Sequence, residues 1–271
     1  MSVLLQISDP HFGTERREVA AALQRFANAL HPDVVLVSGD ITQRAKPEEF
    51  ATARAFMDSI SARTKMSIPG NHDIPLYNVL ARFITPYSNY RRSFGSELEP
   101  VHESGDLLLI GLNTTHPRRH KDGKLSASQI ERVAGLLKAS RPEQLRIVAL
   151  HHPMFVTREQ DIENLVHGHE AAALAWSAAG ADLVIGGHIH LPYVRSLREI
   201  HARLPRPMWA VQAGTAVSRR VRGDIANSVN VVRCTPLGSA MNCVVERWDY
   251  NRPSDSFKVE EVHRLQLDRT T

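Results

Sequence analysis

Five short apolar runs, each reading as a strand buried on both faces, end in residues that bind metals, and this coincidence limits what the chain can become. "VLLQIS" (3–8) leads into Asp9 and His11 of "DPH", "DVVLVSGD" ends in Asp40, and "KMSIPGNHD" runs into Asn71 and His72. "LRIVALHH" carries His151, and "ADLVIGGHIH" ends in His188 and His190. Continuous apolar strands joined by helices form parallel sheets, whose carboxyl ends share one edge where ligands bind. Two carboxylates, an amide and several imidazoles are thus delivered to one place. Crowded there without a cation, they would repel or stay unsatisfied. In an extended chain residues i and i+2 point to one side, so Asp9/His11 and His188/His190 are each expected to face a single point from a strand end.

Helical patterns separate these runs. "REVAAALQRFANAL" spaces Val19, Leu23, Phe26 and Leu30 along one face, and "PEEFATARAFMDSI" does the same with Phe50, Ala53, Met57 and Ile60 behind Pro47 in its first turn. Ser126 and Gln129 form a capping box for "SASQIERVAGLLKA", and Gly180 stops a helix that runs to about Ala179. Residues 74–105 read as a long loop with short helical pieces, and 107–113 as a further strand. After Leu191 the pattern becomes alternating strands near 193–199, 208–213, 228–234, 241–249 and 256–265, with no helix. The prediction is an α/β fold: a mainly parallel sheet covered by helices, with the later strands forming a second sheet stacked on it. No repeat, low-complexity segment or linker divides the chain. Residues 1–271 are therefore expected to form one domain, with the motifs in 1–191 and the second-sheet strands in 192–266.

The net charge is only +4, and the basic residues are scattered rather than gathered in a stripe, which argues against a nucleic-acid partner while admitting an anionic small molecule. No stretch approaches the roughly 20 apolar residues of a membrane span, and the apolar run after Met1 is too short for a signal-peptide core. A cytoplasmic location is expected, and Cys234 and Cys243, placed to face each other across a hairpin turn at "TPLGSAMN", are expected as reduced thiols. Nothing in the sequence fixes an oligomeric state.

"DPH", "GD", "GNHD", "H" followed by "HP", and "GHIH", in this order over residues 9 to 190, resemble the signature of the calcineurin-like metallophosphoesterase superfamily. The resemblance implies two stacked mixed β-sheets flanked by helices, a four-layer α/β/β/α sandwich. It implies that Asp9, His11 and His190 hold one metal, that Asn71, His151 and His188 hold another, and that Asp40 bridges both. Mixed oxygen and nitrogen ligands suit manganese, iron or zinc. Two such ions roughly 3.5 to 4 Å apart share a hydroxide that attacks a phosphoester in line and clamp the phosphoryl oxygens. His72 would stabilise developing charge or protonate the leaving oxygen, with Asp73 orienting its ring.

The compact chain and the tight "GDIT" and "GNHD" loops look most similar to bacterial cyclic-nucleotide and glycerophosphodiester phosphodiesterases, so a small-molecule phosphodiester is the expected substrate. The alternatives are a phosphomonoesterase or nucleotide pyrophosphatase on the same metal pair, and a non-catalytic scaffold of the same fold. His152 should point away from His151 as a supporting or packing residue, and "HGHEA" (167–171) reads as a solvated helix face. The basic run "THPRRHKDGK" (115–124), the stretch "YSNYRRSF" and Asn113 are candidates for contact with the substrate or the surroundings of the metals.

Overall fold

The computed structural model describes residues 2–199, 202–237 and 240–267. In chain order, β1 (Ser2–Ile7), α1 (Arg17–Leu30), β2 (Val34–Ser38), α2 (Pro47–Ser59) and β3 (Thr64–Ile68) form the first strand–helix alternation. Two short helices, α3 (Val79–Ile84) and α4 (Ser88–Phe94), fill the expected long loop. Then come β4 (Val101–Glu103), β5 (Leu107–Gly111), α5 (Ala127–Ala139), β6 (Leu145–Ala149), α6 (His169–Ala179) and β7 (Leu183–Gly186). The rest is β8 (Tyr193–Ser196), β9 (Trp209–Gln212), β10 (Ser228–Leu237), β11 (Ala240–Asn251) and β12 (Ser256–Leu265). The edge strand β4 escapes a periodicity search because it has only three residues, none of them buried.

These strands make two six-stranded mixed sheets, in the orders β12-β11-β10-β1-β2-β3 and β4-β5-β6-β7-β9-β8. Within them β1, β2 and β3 run parallel, as do β5, β6, β7 and β9. The four-layer sandwich is therefore present, but the strands are shared out differently from the expectation. The early parallel strands are divided between the two sheets, and the strands after 191 do not make a sheet of their own. β8 and β9 extend the second sheet, while β10 pairs antiparallel with β1 and carries β11 and β12 with it. Alternating polarity reports that a strand has one wet face; it carries no information about which neighbour it pairs with. Cys234 and Cys243 do face each other in the β10–β11 register, both buried, and the tip of their turn at 238 and 239 lies outside the described residues.

Side-chain alternation builds three apolar layers. Leu4, Leu36 and Ile68 from the first sheet meet Leu109, Ile147 and Ile185 from the second in the central layer. Leu5, Val35 and Val37 face outward onto Val19 and Leu23 of α1 and Phe50 of α2, and Ile110, Val148 and Val184 face outward onto Val133 of α5 and Trp176 of α6. The one strongly polar group of β1 in the central layer is Gln6, fully buried. Its amide donates to Ser38 Oγ and to the Gly186 carbonyl of the other sheet, both at 3.0 Å, and its Oε1 accepts from Asn230 Nδ2 at 3.0 Å. Every polar atom of that side chain is thereby satisfied, and the ends of β1, β2 and β7 are tied together across the layers. Capping follows the sequence: Ser126 and Gln129 form the box at the start of α5, and Gly180 ends α6 with φ +98°.

Ile147 is fully buried in the central layer. Ile147→Ala is expected to lower stability by about 2 to 5 kcal/mol, read as a lower denaturant midpoint at unchanged slope.

Candidate metal centre

The candidate residues sit just beyond the ends of β1, β2, β3, β6 and β7, and the backbone that carries them is not extended. Asp9, His11, Asp40, His188 and His190 have φ of 50°, 44°, 47°, 74° and 55°. The expected i, i+2 geometry is thus replaced by left-handed turns, which cost about 1 to 3 kcal/mol each and persist where the surroundings over-determine them. Asp9 and His11 still face one point, but His188 and His190 diverge, towards His151 and towards Asp9 and His11 respectively. Close approach explains the adjoining glycines. A Cβ on Gly39 (φ +94°) would lie 2.3 Å from His151 Nδ1, and one on Gly187 would lie 2.0 Å from Ser8 Oγ.

Two groups of potential ligands result. In the first, His190 Nε2 lies 3.1 Å from His11 Nε2 and 3.3 Å from Asp9 Oδ1. In the second, His151 and His188 stand with ring centroids 5.1 Å apart, and Asn71 lines the same cleft as His188. Asp40 lies between the groups, with Oδ1 3.3 Å from His151 Nε2 and Oδ2 3.6 Å from His11 Nε2. All seven expected ligand residues are brought together.

The hydrogen bonds decide which atoms face inward. His151 Nδ1–H donates to Ser38 O at 2.9 Å, His188 Nε2–H to Asn164 Oδ1 at 3.3 Å, and His190 Nδ1–H to Arg220 O at 2.6 Å. Asn71 Nδ2 donates to His120 O at 3.4 Å. What remains is Asn71 Oδ1, His151 Nε2 and His188 Nδ1, three buried atoms with no hydrogen-bond partner. Such atoms cost free energy unless a ligand satisfies them, and histidine ligands with the second nitrogen tied to a carbonyl are how metal sites are built. The donor set fits the implied metal pair.

The ionisation of these groups follows the same logic. Burial pushes His11 and His188 down to about 3, leaving neutral imidazoles with lone pairs to offer. Burial alone would raise Asp9, but the His190 charge and hydrogen bond bring it to about 2. Against burial, the Asp40 charge lifts His151 to about 9, although its Nε2 makes no hydrogen bond with that carboxylate. Positive charge is what this spot favours.

Around the centre some expectations change. Asp73 does not orient the His72 ring. It is buried and accepts from Ile41 N–H (3.0 Å), Thr42 N–H (2.8 Å), Thr42 Oγ1 (2.9 Å) and Gly70 N–H (2.8 Å), bracing the loop that carries Asp40. The ring of His72 is held by its Nδ1–H donating to Gln43 O at 2.8 Å, and its backbone N–H donates to Asp40 Oδ1 at 2.8 Å. His152 does not point away, since its ring centroid is 4.6 Å from that of His188. It is nonetheless a supporting residue, with Nε2–H donating to Lys121 O and Nδ1 accepting from Thr114 Oγ1, both at 2.8 Å. Asn113 is not at the centre; its Oδ1 accepts from Thr115 N–H and Oγ1 in a local turn. "YSNYRRSF" also lies elsewhere, as α4 packed on α2, with Tyr90 bonded to Ser67. "HGHEA" stays outside, with His167 exposed beside Arg119 and Asp122.

A cleft of 530 Å³ opens over Asp40, Asn71, His72, His188 and His190, and its other walls include Lys121, Arg220 and Arg222. The basic run at 115–124 therefore reaches the centre through Lys121, which also borders an open 720 Å³ depression over that run. Arg220 and Arg222 were not singled out from the sequence. The signal was "SRRVRG", a basic loop after β9, which runs parallel to β7 and opens on the same edge.

The chain is 26% identical over 210 residues to a Rhodococcus erythropolis protein named a probable cyclic nucleotide phosphodiesterase, a match that takes in 69% of this chain and 64% of that one, less than two thirds of its length. It is 27% identical over 251 residues to a cAMP/cGMP dual specificity phosphodiesterase of Mycobacterium tuberculosis, covering 86% of this chain and 76% of the relative. The fold resembles that of a dimetal phosphatase from Danio rerio, with a TM-score of 0.67 at 13% identity over 98% of this chain and 99% of the other. The family model for calcineurin-like phosphoesterases matches residues 2–192, which include every candidate ligand, and the chain belongs to that family.

Proposed function

We propose that this protein is a dinuclear metal-dependent phosphodiesterase acting on a small phosphodiester of the cyclic-nucleotide or glycerophosphodiester type. The observation that carries the proposal is the inward-facing set of Asn71 Oδ1, His151 Nε2 and His188 Nδ1, buried without partners, with Asp40 turned towards both ligand groups. The names of relatives at 26% and 27% identity support a cyclic nucleotide as substrate. The strands after residue 192 complete both sheets around the centre, which supports one catalytic domain over 1–271.

In this reading Asp9, His11, His190 and Asp40 hold one ion, and Asn71, His151, His188 and Asp40 the other. Bound metals would lower the pKa of water and offset charge on phosphoryl oxygens. The chain's own residues do the positioning. Ser38, Asn164 and Arg220 fix the tautomers of three histidines through their carbonyl groups, and Asp73 braces the Asp40 loop. His72, with Nδ1–H committed to Gln43 O, presents Nε2 to the cleft, where it can hold a proton for the leaving oxygen. Manganese, iron or zinc suits the mixed donors. A cytoplasmic site of action, supported by two buried thiols, belongs to the same proposal. Among the described residues no helix is long and apolar enough to cross a membrane.

The first test compares bis(p-nitrophenyl) phosphate with p-nitrophenyl phosphate on protein stripped by chelator and reloaded with manganese, iron or zinc. Metal-dependent turnover with a higher kcat/KM for the diester is expected. Preference for the monoester would make the protein a phosphomonoesterase, and no turnover with any metal would leave a scaffold. Asp40→Ala is expected to lose bound metal, measured by elemental analysis, together with turnover. His72→Ala should keep its metal and lose about 10²- to 10⁴-fold in kcat; full activity in that variant would remove its assigned role.

A further inference from the structure

We propose that Arg220 is a substrate-binding residue that grips the non-bridging oxygens of the phosphoryl group from the lining of the cleft that it shares with Lys121. The assignment rests on the phosphoesterase reading and goes beyond the metal ligands and His72.

The guanidinium is aimed into the reaction space. Arg220 Nη1 donates to Gln43 Oε1 at 3.3 Å and lies 3.1 Å from His72 Nε2 and 3.5 Å from His11 Nδ1, none of them a carboxylate. Among the described residues it forms no ion pair with a carboxylate. Arg222, two residues on, shows what a structural arginine in this loop looks like, gripping Asp161 with two bonds of 2.8 and 2.9 Å. The loop that presents Arg220 is fixed independently of its side chain. Its carbonyl accepts from His190 Nδ1–H at 2.6 Å, its N–H donates to Ser218 Oγ at 3.0 Å, and Arg222 Nη1 donates to Ile189 O at 3.0 Å.

Charge points the same way. A guanidinium without a counter-ion, facing a centre built to hold two cations, is repelled by them until an anion lies between. A phosphodiester is such an anion, and the planar fork of arginine matches two phosphoryl oxygens, which a lysine does not. Lys121 is held comparably: its carbonyl accepts from His152 Nε2–H at 2.8 Å while the residue lines the cleft.

The test is calorimetric binding of inorganic phosphate to the manganese-loaded chain, together with kcat/KM for bis(p-nitrophenyl) phosphate, in wild type, Arg220→Ala, Arg220→Lys and Arg219→Ala. Arg220→Ala is expected to keep its manganese, because the carbonyl that holds His190 remains, and to bind phosphate about 10- to 100-fold more weakly, with a comparable fall in kcat/KM. Arg220→Lys should recover only part of the affinity, and Arg219→Ala, at a residue that does not line the cleft, should match wild type. Wild-type phosphate affinity in Arg220→Ala, loss of manganese from it, or no phosphate binding by wild type would overturn the assignment. A wild type that binds phosphate through Arg220 yet hydrolyses neither ester would overturn the phosphodiesterase reading and leave Arg220 in its role.

Discussion

A single buried carboxylate governs the arrangement of the centre. Asp40 is only 2% exposed, and its two oxygens are turned towards histidines of the two ligand groups. Burying that charge is costly unless it is compensated, and what surrounds it is compensation: the amide of His72, the lifted ionisation of His151, and places where a cation belongs. The neighbouring structure serves the same carboxylate. Gly39 has no Cβ because the His151 ring occupies that space, and Asp73 grips the amides of residues 41 and 42 so that the turn carrying Asp40 cannot relax.

Much of this was legible in the sequence because two strong signals coincided. Continuous apolar runs such as "DVVLVS" and "LRIVAL" announce buried strands, and the polar residue that ends each one marks the edge where the chain leaves the sheet. Helices α1, α2 and α5 were equally plain from the spacing of Val19 and Leu23, from Pro47, and from the Ser126/Gln129 box. All seven proposed ligands and His72 come from those strand ends.

What stayed hidden is conformation and partnership. No periodicity reveals that Asp9, His11, His188 and His190 turn left-handed, so extended geometry brought these residues to one edge for an incorrect reason; the glycines beside them were the hint. The pairing of β10 with β1 is a contact across more than two hundred residues of chain, invisible to local pattern. Asp73 and Asn113 were credited with closer roles than they have, because short polar side chains in loops bond the nearest backbone amides, and sequence does not say which. Arg220 was missed because a basic loop ordinarily means solvent, and only the position of its carbonyl on His190 sets it apart.

Both proposed metal positions draw ligands from both sheets. Asp9 and His11 follow β1 and Asn71 follows β3 in the first sheet; His151 follows β6 and His188 and His190 follow β7 in the second. The distance between the two halves of each coordination sphere is therefore set by the thickness of the apolar layer between the sheets, where Leu36 and Ile147 meet, and by the Gln6 bridge to Gly186. That layer acts as a spacer of fixed gauge. A methylene added to or removed from it would change the bite offered to an ion held there, so selection on metal affinity would reach into side chains that touch no ligand. In return, an ion seated between the sheets would rivet them together, and resistance to their sliding would become a property of the metal as much as of the core.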